Sequence, residues 1–216
     1  MNTAAIAQAV MDRPPENPDD SAKRRQIVEG ARQVFLARGF DAASMADIAK
    51  AAGVSKGTLY VYFKDKEELF TAIVMEECIG QAEGVFQLDA TDPDVEGTLK
   101  RLGTAYINFM CQPQKASAIR TVIAIADRMP SIGQAFYEHG PSVGISRLAD
   151  YLRAQTEAGV LNVEHPEITA AQFLDTCQAT LFKPVLFNFT PAPAPDHVAK
   201  VIGIAASAFV RAYRAK

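Results

Sequence analysis

Between Ser44 and Lys66 the chain gathers residues suited to gripping a nucleic acid. Ser44 and Ser55 each stand where a hydroxyl can cap a helix, and an exposed helix start offers amides and partial positive charge to a phosphate. Lys56, Gly57, Thr58, Tyr60, Tyr62 and Lys64 follow within nine positions, with Lys66 just beyond. Ammonium groups neutralise phosphates, lysine can pair with the guanine edge, and Gly57 permits close backbone approach. The chemistry implied is binding, with no bond made or broken.

Catalytic alternatives find no support in the sequence. His139, His165 and His197 stand singly, and there is no Gly-rich phosphate loop after a strand, GxSxG or HExxH. Cys78, Cys111 and Cys177 are an odd count with no CxxC pair, which argues against a disulfide framework or zinc site and suits a reducing cytoplasm. No basic residue flanks Cys78 or Cys177 closely enough to activate it, so both read as buried structural thiols. We expect no enzyme, no cofactor and no metal.

The net charge of −3 over 216 residues hides an asymmetry. Residues 23–66 carry nine Lys or Arg against four Asp or Glu, a net of +5, which leaves −8 for the remainder. A basic head on an acidic body is the electrostatic footprint of a small DNA-binding module attached to a body that does not touch DNA. Composition is otherwise that of an ordinary globular protein, with 49% hydrophobic and 22% charged residues. The N-terminal stretch does not read as a signal peptide and no window is long and apolar enough to span a membrane. The expectation is a cytoplasmic protein without membrane contact.

The elements that must position the polar cluster follow from periodicity and caps. Residues 1–20 end in Pro14, Pro15, Pro18, Asp19 and Asp20 and read as a mobile tail. A first amphipathic helix runs from Ala22 to Arg38, stopped by Gly39. Ser44 opens a second, with Asp47 placed for a capping box, and Gly53 reverses the chain in the left-handed conformation. Ser55 opens a third, through about Val61, and Asp65 with Glu68 a fourth, long connecting helix. Ile48, Ala49, Ala52, Val54, Leu59 and Phe63 fall at spacings that form the core of this head. Every later segment is helical by period, at 95–111, 115–127, 131–138, 142–158, 167–189 and 196–214. The fold class expected is all-α: an N-terminal three-helix helix-turn-helix domain at 21–66, joined by a long helix to a larger helical dimerisation and ligand-binding domain at 67–216, with about nine or ten helices in all.

The run GFDAASMADIAKAAGVSKGTLYVYFKDKEELF, Gly39 to Phe70, closely resembles the DNA-binding domain of the TetR family of transcriptional regulators. The likeness covers about fifty residues from Lys23 and is specific, resting on Ile48-Ala49, Ala52-Gly53-Val54-Ser55, Gly57-Thr58-Leu59-Tyr60, Tyr62-Phe63 and Lys66-Glu67. It implies that Lys56, Gly57, Thr58 and Tyr60 meet bases or the groove and that Tyr62 and Lys66 grip phosphates. One departure is Ala46, where some relatives carry a long polar residue that reads a base; recognition then falls on the third helix, with Lys56 as the guanine reader.

A single recognition helix reads too few base pairs, so such motifs act as dimers on near-palindromic sites. The last two segments are apolar on more than one face, and Leu181, Phe182, Val185, Val201, Ile204, Ala205, Ala208 and Phe209 are the expected homodimer face. Phe86, Tyr106, Phe109, Met110, Ile123, Met129, Phe136 and Phe173 are candidate lining for an apolar effector pocket, with Tyr106, Arg120 or Asp127 for a polar end. The resemblance implies a repressor of operator DNA released by a small, apolar effector. The alternative is a small-molecule-binding protein with a vestigial DNA motif.

Overall fold

In the computed structural model, residues 18–215 are described, without side-chain detail at 18, 19, 75 and 77–83. The helices are α1 Pro18–Ala42, α2 Met45–Ala51, α3 Lys56–Tyr62, α4 Lys66–Val85, α5 Val95–Met110, α6 Pro113–Ile125, α7 Pro130–His139, α8 Pro141–Glu157, α9 Pro166–Cys177, α10 Phe182–Leu186 and α11 Pro195–Tyr213. Among the described residues there is no strand, only an isolated bridge pairing Leu161 with Arg214. Proline opens α6, α7, α8, α9 and α11, where its missing N–H costs nothing and its fixed φ suits a first turn.

Most of the expected tail, 1–20, lies outside the described residues; its last three positions already belong to α1. The helix stops at Gly39 as expected, with φ 75° and ψ 169°, and a short further helical stretch runs to Ala42. A larger correction falls at 167–189, expected as one helix. The chain leaves α9 after Cys177, takes Thr180 to φ 59° and restarts as the five-residue α10. Pro184 is the cause, since its ring collides with the carbonyl four residues back and offers it no N–H.

The molecule forms two compact units. The first runs to Cys78 and takes in Thr121–Phe136; the second is Ile79–Arg120 with Tyr137 onward. The head is thus larger than the expected 21–66. Its core of Ile27, Ala31, Phe35, Phe40, Ile48, Leu59, Phe63, Leu69 and Phe70 is completed by Val122, Ile125 and Ile132 from α6 and α7. Phe35, Phe40 and Phe70 pack ring on ring at 5.3–5.6 Å between centroids.

In the second unit, α5 packs on α11 and α8 on α9. Leu99, Leu102, Leu148, Leu152, Phe173, Leu174, Ile202 and Phe209 make its core, with Phe173 edge-on to Phe209 at 5.4 Å. Arg120 donates to the carbonyls of Val185 and Leu186 at 3.3 and 3.2 Å, capping the short α10.

Candidate nucleic-acid interface

Two serine caps and one glycine turn define the reading element. Ser44 Oγ accepts from the Asp47 amide at 3.1 Å and donates to the Asp47 carboxylate at 2.6 Å. That hydroxyl and the Arg38 guanidinium, 3.1 Å away, hold the Asp47 carboxyl below the usual carboxylate range. Gly53 turns the chain at φ 64°, and the Val54 amide closes back on the Ala49 carbonyl at 3.0 Å. Ser55 Oγ then accepts from the Thr58 amide at 3.0 Å to start α3. All three features are those the sequence predicts.

The angle between α1 and α2 is fixed by Gly30. A Cβ built there would stand 2.6 Å from the Cα and N of Ala52, so only glycine lets α1 pass so close. Gln26 Nε2 donates to the Ala52 carbonyl at 2.6 Å on the same contact. With Ile48, Ala49, Ala52, Leu59 and Phe63 buried and Val54 half-buried, α2 and α3 are seated on α1 as one body.

Ser44, Ser55, Lys56, Gly57, Tyr60 and Lys64 are exposed. Thr58 is half-buried, and its hydroxyl is shared with Ser55 at 2.8 Å. Ala46 is exposed on α2 and presents only a methyl there, as the sequence implies. Two assigned residues are engaged within the head. The Tyr62 hydroxyl donates to the Asp20 carboxylate, which pushes the Tyr62 pKa up. While it does so, it has no proton left to donate to a phosphate.

Lys66 differs more. Its ammonium donates to the carbonyls of Phe40, Asp41 and Ala43 at 3.0, 3.2 and 3.4 Å and lies 4.6 Å from the centre of the Phe40 ring. An ammonium has three protons, and here each has a carbonyl. Lys66 therefore secures the end of α1 rather than reaching outward. Asp41 is also paired with Arg128 at 3.0 Å, and that guanidinium holds its carboxyl low.

Two residues at the face were not singled out by sequence reasoning. Asp20 lay in the presumed tail, and no local spacing signals its partner Tyr62, 42 positions on. Val61 is 73% exposed on α3, more than Tyr60 at 54%; its spacing of four from Gly57 was the available signal.

The body residues divide between the units. Of the candidate pocket residues, Phe86, Tyr106, Phe109, Met110 and Phe173 lie in the second unit, whereas Met129 and Phe136 pack on the head's core and Ile123 is exposed. Phe86 meets Tyr106 edge-on at 6.1 Å, and the Tyr106 hydroxyl accepts from Gln178 at 3.2 Å. Burial raises the Tyr106 pKa. The candidate dimer residues also separate. Leu181, Phe182, Val185, Ala205 and Phe209 are consumed by the protomer's own core, Val201 is half-buried, and Ile204 and Ala208 face outward. Ile168, Phe187 and Phe189 are exposed as well. Cys177 is buried, its thiol pushed up to about 12 by burial, and Cys111 is shifted the same way; the Cys78 side chain lies outside the described residues.

A capped helix, a glycine turn and a second capped helix on a basic three-helix head define a helix-turn-helix DNA-binding protein. Residues 27–73 match the family described as bacterial regulatory proteins, tetR family, and residues 97–215 match the C-terminal domain of AefR-like transcriptional repressors. The second match alone spans more than half of the chain, and the chain belongs to the TetR family of transcriptional regulators.

Among curated relatives, the transcriptional activator FasR of Mycolicibacterium smegmatis is 36% identical over 88 residues, 41% of this chain and 40% of its own length. The repressor Rv1474c of Mycobacterium tuberculosis is 24% identical over 72% of this chain and 78% of its own length. Among solved structures, a TetR-family protein from Mesorhizobium loti superposes with a TM-score of 0.82 at 27% identity, covering 90% of this chain and 98% of its own. The flavonoid-responsive regulator FrrA superposes at 0.76 with 29% identity and the same coverage. Among the described residues no helix is long and apolar enough to cross a membrane.

Proposed function

We propose that this regulator is a repressor that binds a near-palindromic operator as a homodimer and leaves it when a small apolar effector occupies the second unit. The observation that carries the DNA reading is the exposed face of α3, where Lys56, Gly57 and Tyr60 stand outward while Leu59 anchors the helix in the head. Lys56 is the guanine reader and Lys64 a phosphate contact; Ser44 and Ser55 bring backbone amides to the strand. Repression is supported by the AefR-like repressor match over 97–215.

Dimerisation is supported by large apolar side chains left exposed in the C-terminal third of the chain, Ile168, Phe187, Phe189 and Ile204. The effector reading rests on Phe86, Tyr106, Phe109, Met110 and Phe173 of the second unit, and its apolar character on FrrA, which responds to flavonoids. Effector binding acts through α4, which both units share.

The test is a gel shift on intergenic DNA neighbouring the gene, with Lys56→Ala and Tyr60→Ala together. The double variant should keep its mass in solution and lose the shift; an unaltered shift refutes the site. Each phosphate neutralised adds about 0.9 to the slope of log affinity against log salt, so wild-type binding should fall steeply between low and physiological salt. Native mass spectrometry of the purified protein reports the effector.

A further inference from the structure

Gly57, Tyr60 and Val61 lie at i, i+3 and i+4 on α3, which places them on one stripe of the helix surface. All three are exposed, with Lys56 and Lys64 exposed at either end of the element. Val61 is the anomaly in this stripe. It is 73% exposed and is β-branched in a helix of seven residues. Valine there costs a few tenths of a kcal/mol of helix propensity relative to alanine, with no burial in return.

A side chain with two methyl groups and no donor or acceptor has one feature to recognise on a major-groove base edge. Adenine, guanine and cytosine present nitrogen or oxygen there; thymine alone presents a methyl group. We propose that Val61 is a base-reading residue that selects thymine through contact with its C5 methyl, beside the guanine contact of Lys56. This assignment rests on the DNA reading of α3 given above. The duplex is the occupant of this face because the two lysines that flank it carry the charge that brings phosphates there. It also offsets the loss of base reading at Ala46: a head that presents only a methyl on α2 gains a second reading group on α3.

The experiment uses the full-length protein and a duplex it selects from a randomised pool. Each thymine of that duplex is replaced in turn by deoxyuridine, which removes the methyl and nothing else, and binding is followed by fluorescence anisotropy at fixed salt. For the wild type, one position per half-site should weaken binding roughly fourfold, the transfer worth of one methyl group. Val61→Ala, which removes the contact in both half-sites of the dimer, should lose about the square of that factor on the thymine duplex and show no further loss at that one position, while remaining sensitive at others. Val61 is solvent-facing, so the variant's melting temperature should match the wild type, which separates a lost contact from a lost fold. If Val61→Ala binds the thymine duplex as the wild type does, or responds to every uridine as the wild type does, Val61 reads no methyl. If the wild type selects no duplex, the DNA reading of α3 falls, and the Val61 assignment with it. If Lys56→Ala abolishes binding while the uridine series shows no coupling to residue 61, only the Val61 assignment falls.

Discussion

Replacing Gly30 with alanine should do two things at once, and their signs oppose. In an open helical position the change stabilises by about 1 kcal/mol, because alanine is the better helix former. At Gly30 the new methyl would stand 2.6 Å from the Ala52 Cα, about 0.8 Å inside ordinary contact at 3.4 Å. The obstacle is backbone, at the end of α2, so no rotamer relieves it; α2 must move. Overpacking of this kind costs about 1–3 kcal/mol, and a backbone collision belongs at the upper end. The net loss is then about 2 kcal/mol, or roughly 4–8 °C in melting temperature for a chain of this size. The displaced α2 takes α3 with it, by more than the ~0.5 Å within which a binding constellation must be held. Operator affinity should therefore fall with stability. Differential scanning calorimetry and anisotropy titration measure both, and Gly84→Ala is the control, since nothing stands within 4 Å of its added Cβ. A Gly30→Ala protein that melts at or above the wild type and binds operator undiminished would refute the claim that this crossing sets the reading angle.

Two further outcomes follow from the same geometry. Asp20→Ala should raise operator affinity about two- to fivefold at low salt, by removing a carboxylate that competes with phosphate and, with it, the acceptor that engages the Tyr62 hydroxyl. Weaker binding in anisotropy titrations would instead make Asp20 the support that holds Tyr62 in place. Ile204→Glu, on the outward face of α11, should convert the proposed dimer to monomer in sedimentation runs at micromolar concentration, because it would set a charge in the proposed apolar contact. An unchanged dimer mass would move the interface elsewhere.

What was legible in the sequence was the local chemistry. Ser44, Gly53 and Ser55 act within three or four residues of themselves, so their roles can be read off spacing, and the helix-turn-helix follows. Pro184 was equally visible, but the apolar period around it is strong and predicts one continuous helix across the break at Thr180. Non-local choices were hidden. Nothing in a period of 3.6 says which of two cores Met129 or Phe136 joins, nor that Leu181 and Phe209 are consumed by their own protomer before any partner arrives. Lys66 shows the limit most clearly: a lysine beside a DNA-binding helix is counted as a phosphate contact, yet three carbonyls 23 to 26 positions upstream claim it.

That clasp has a topological consequence. Phe40 and Lys66 are pinned together, so everything between them is an excursion from a closed base, like a drawer on a fixed frame. Loop closure depends only slowly on length, and the frame consists of backbone carbonyls, which any sequence supplies. The segment from Ser44 to Phe63 is thus exchangeable as a cartridge, provided that the insert brings a small residue at 52 to pass Gly30 and apolar residues at 48, 49, 59 and 63 to fill the head. New operators are reachable by replacing twenty residues and leaving the frame and the body as they are.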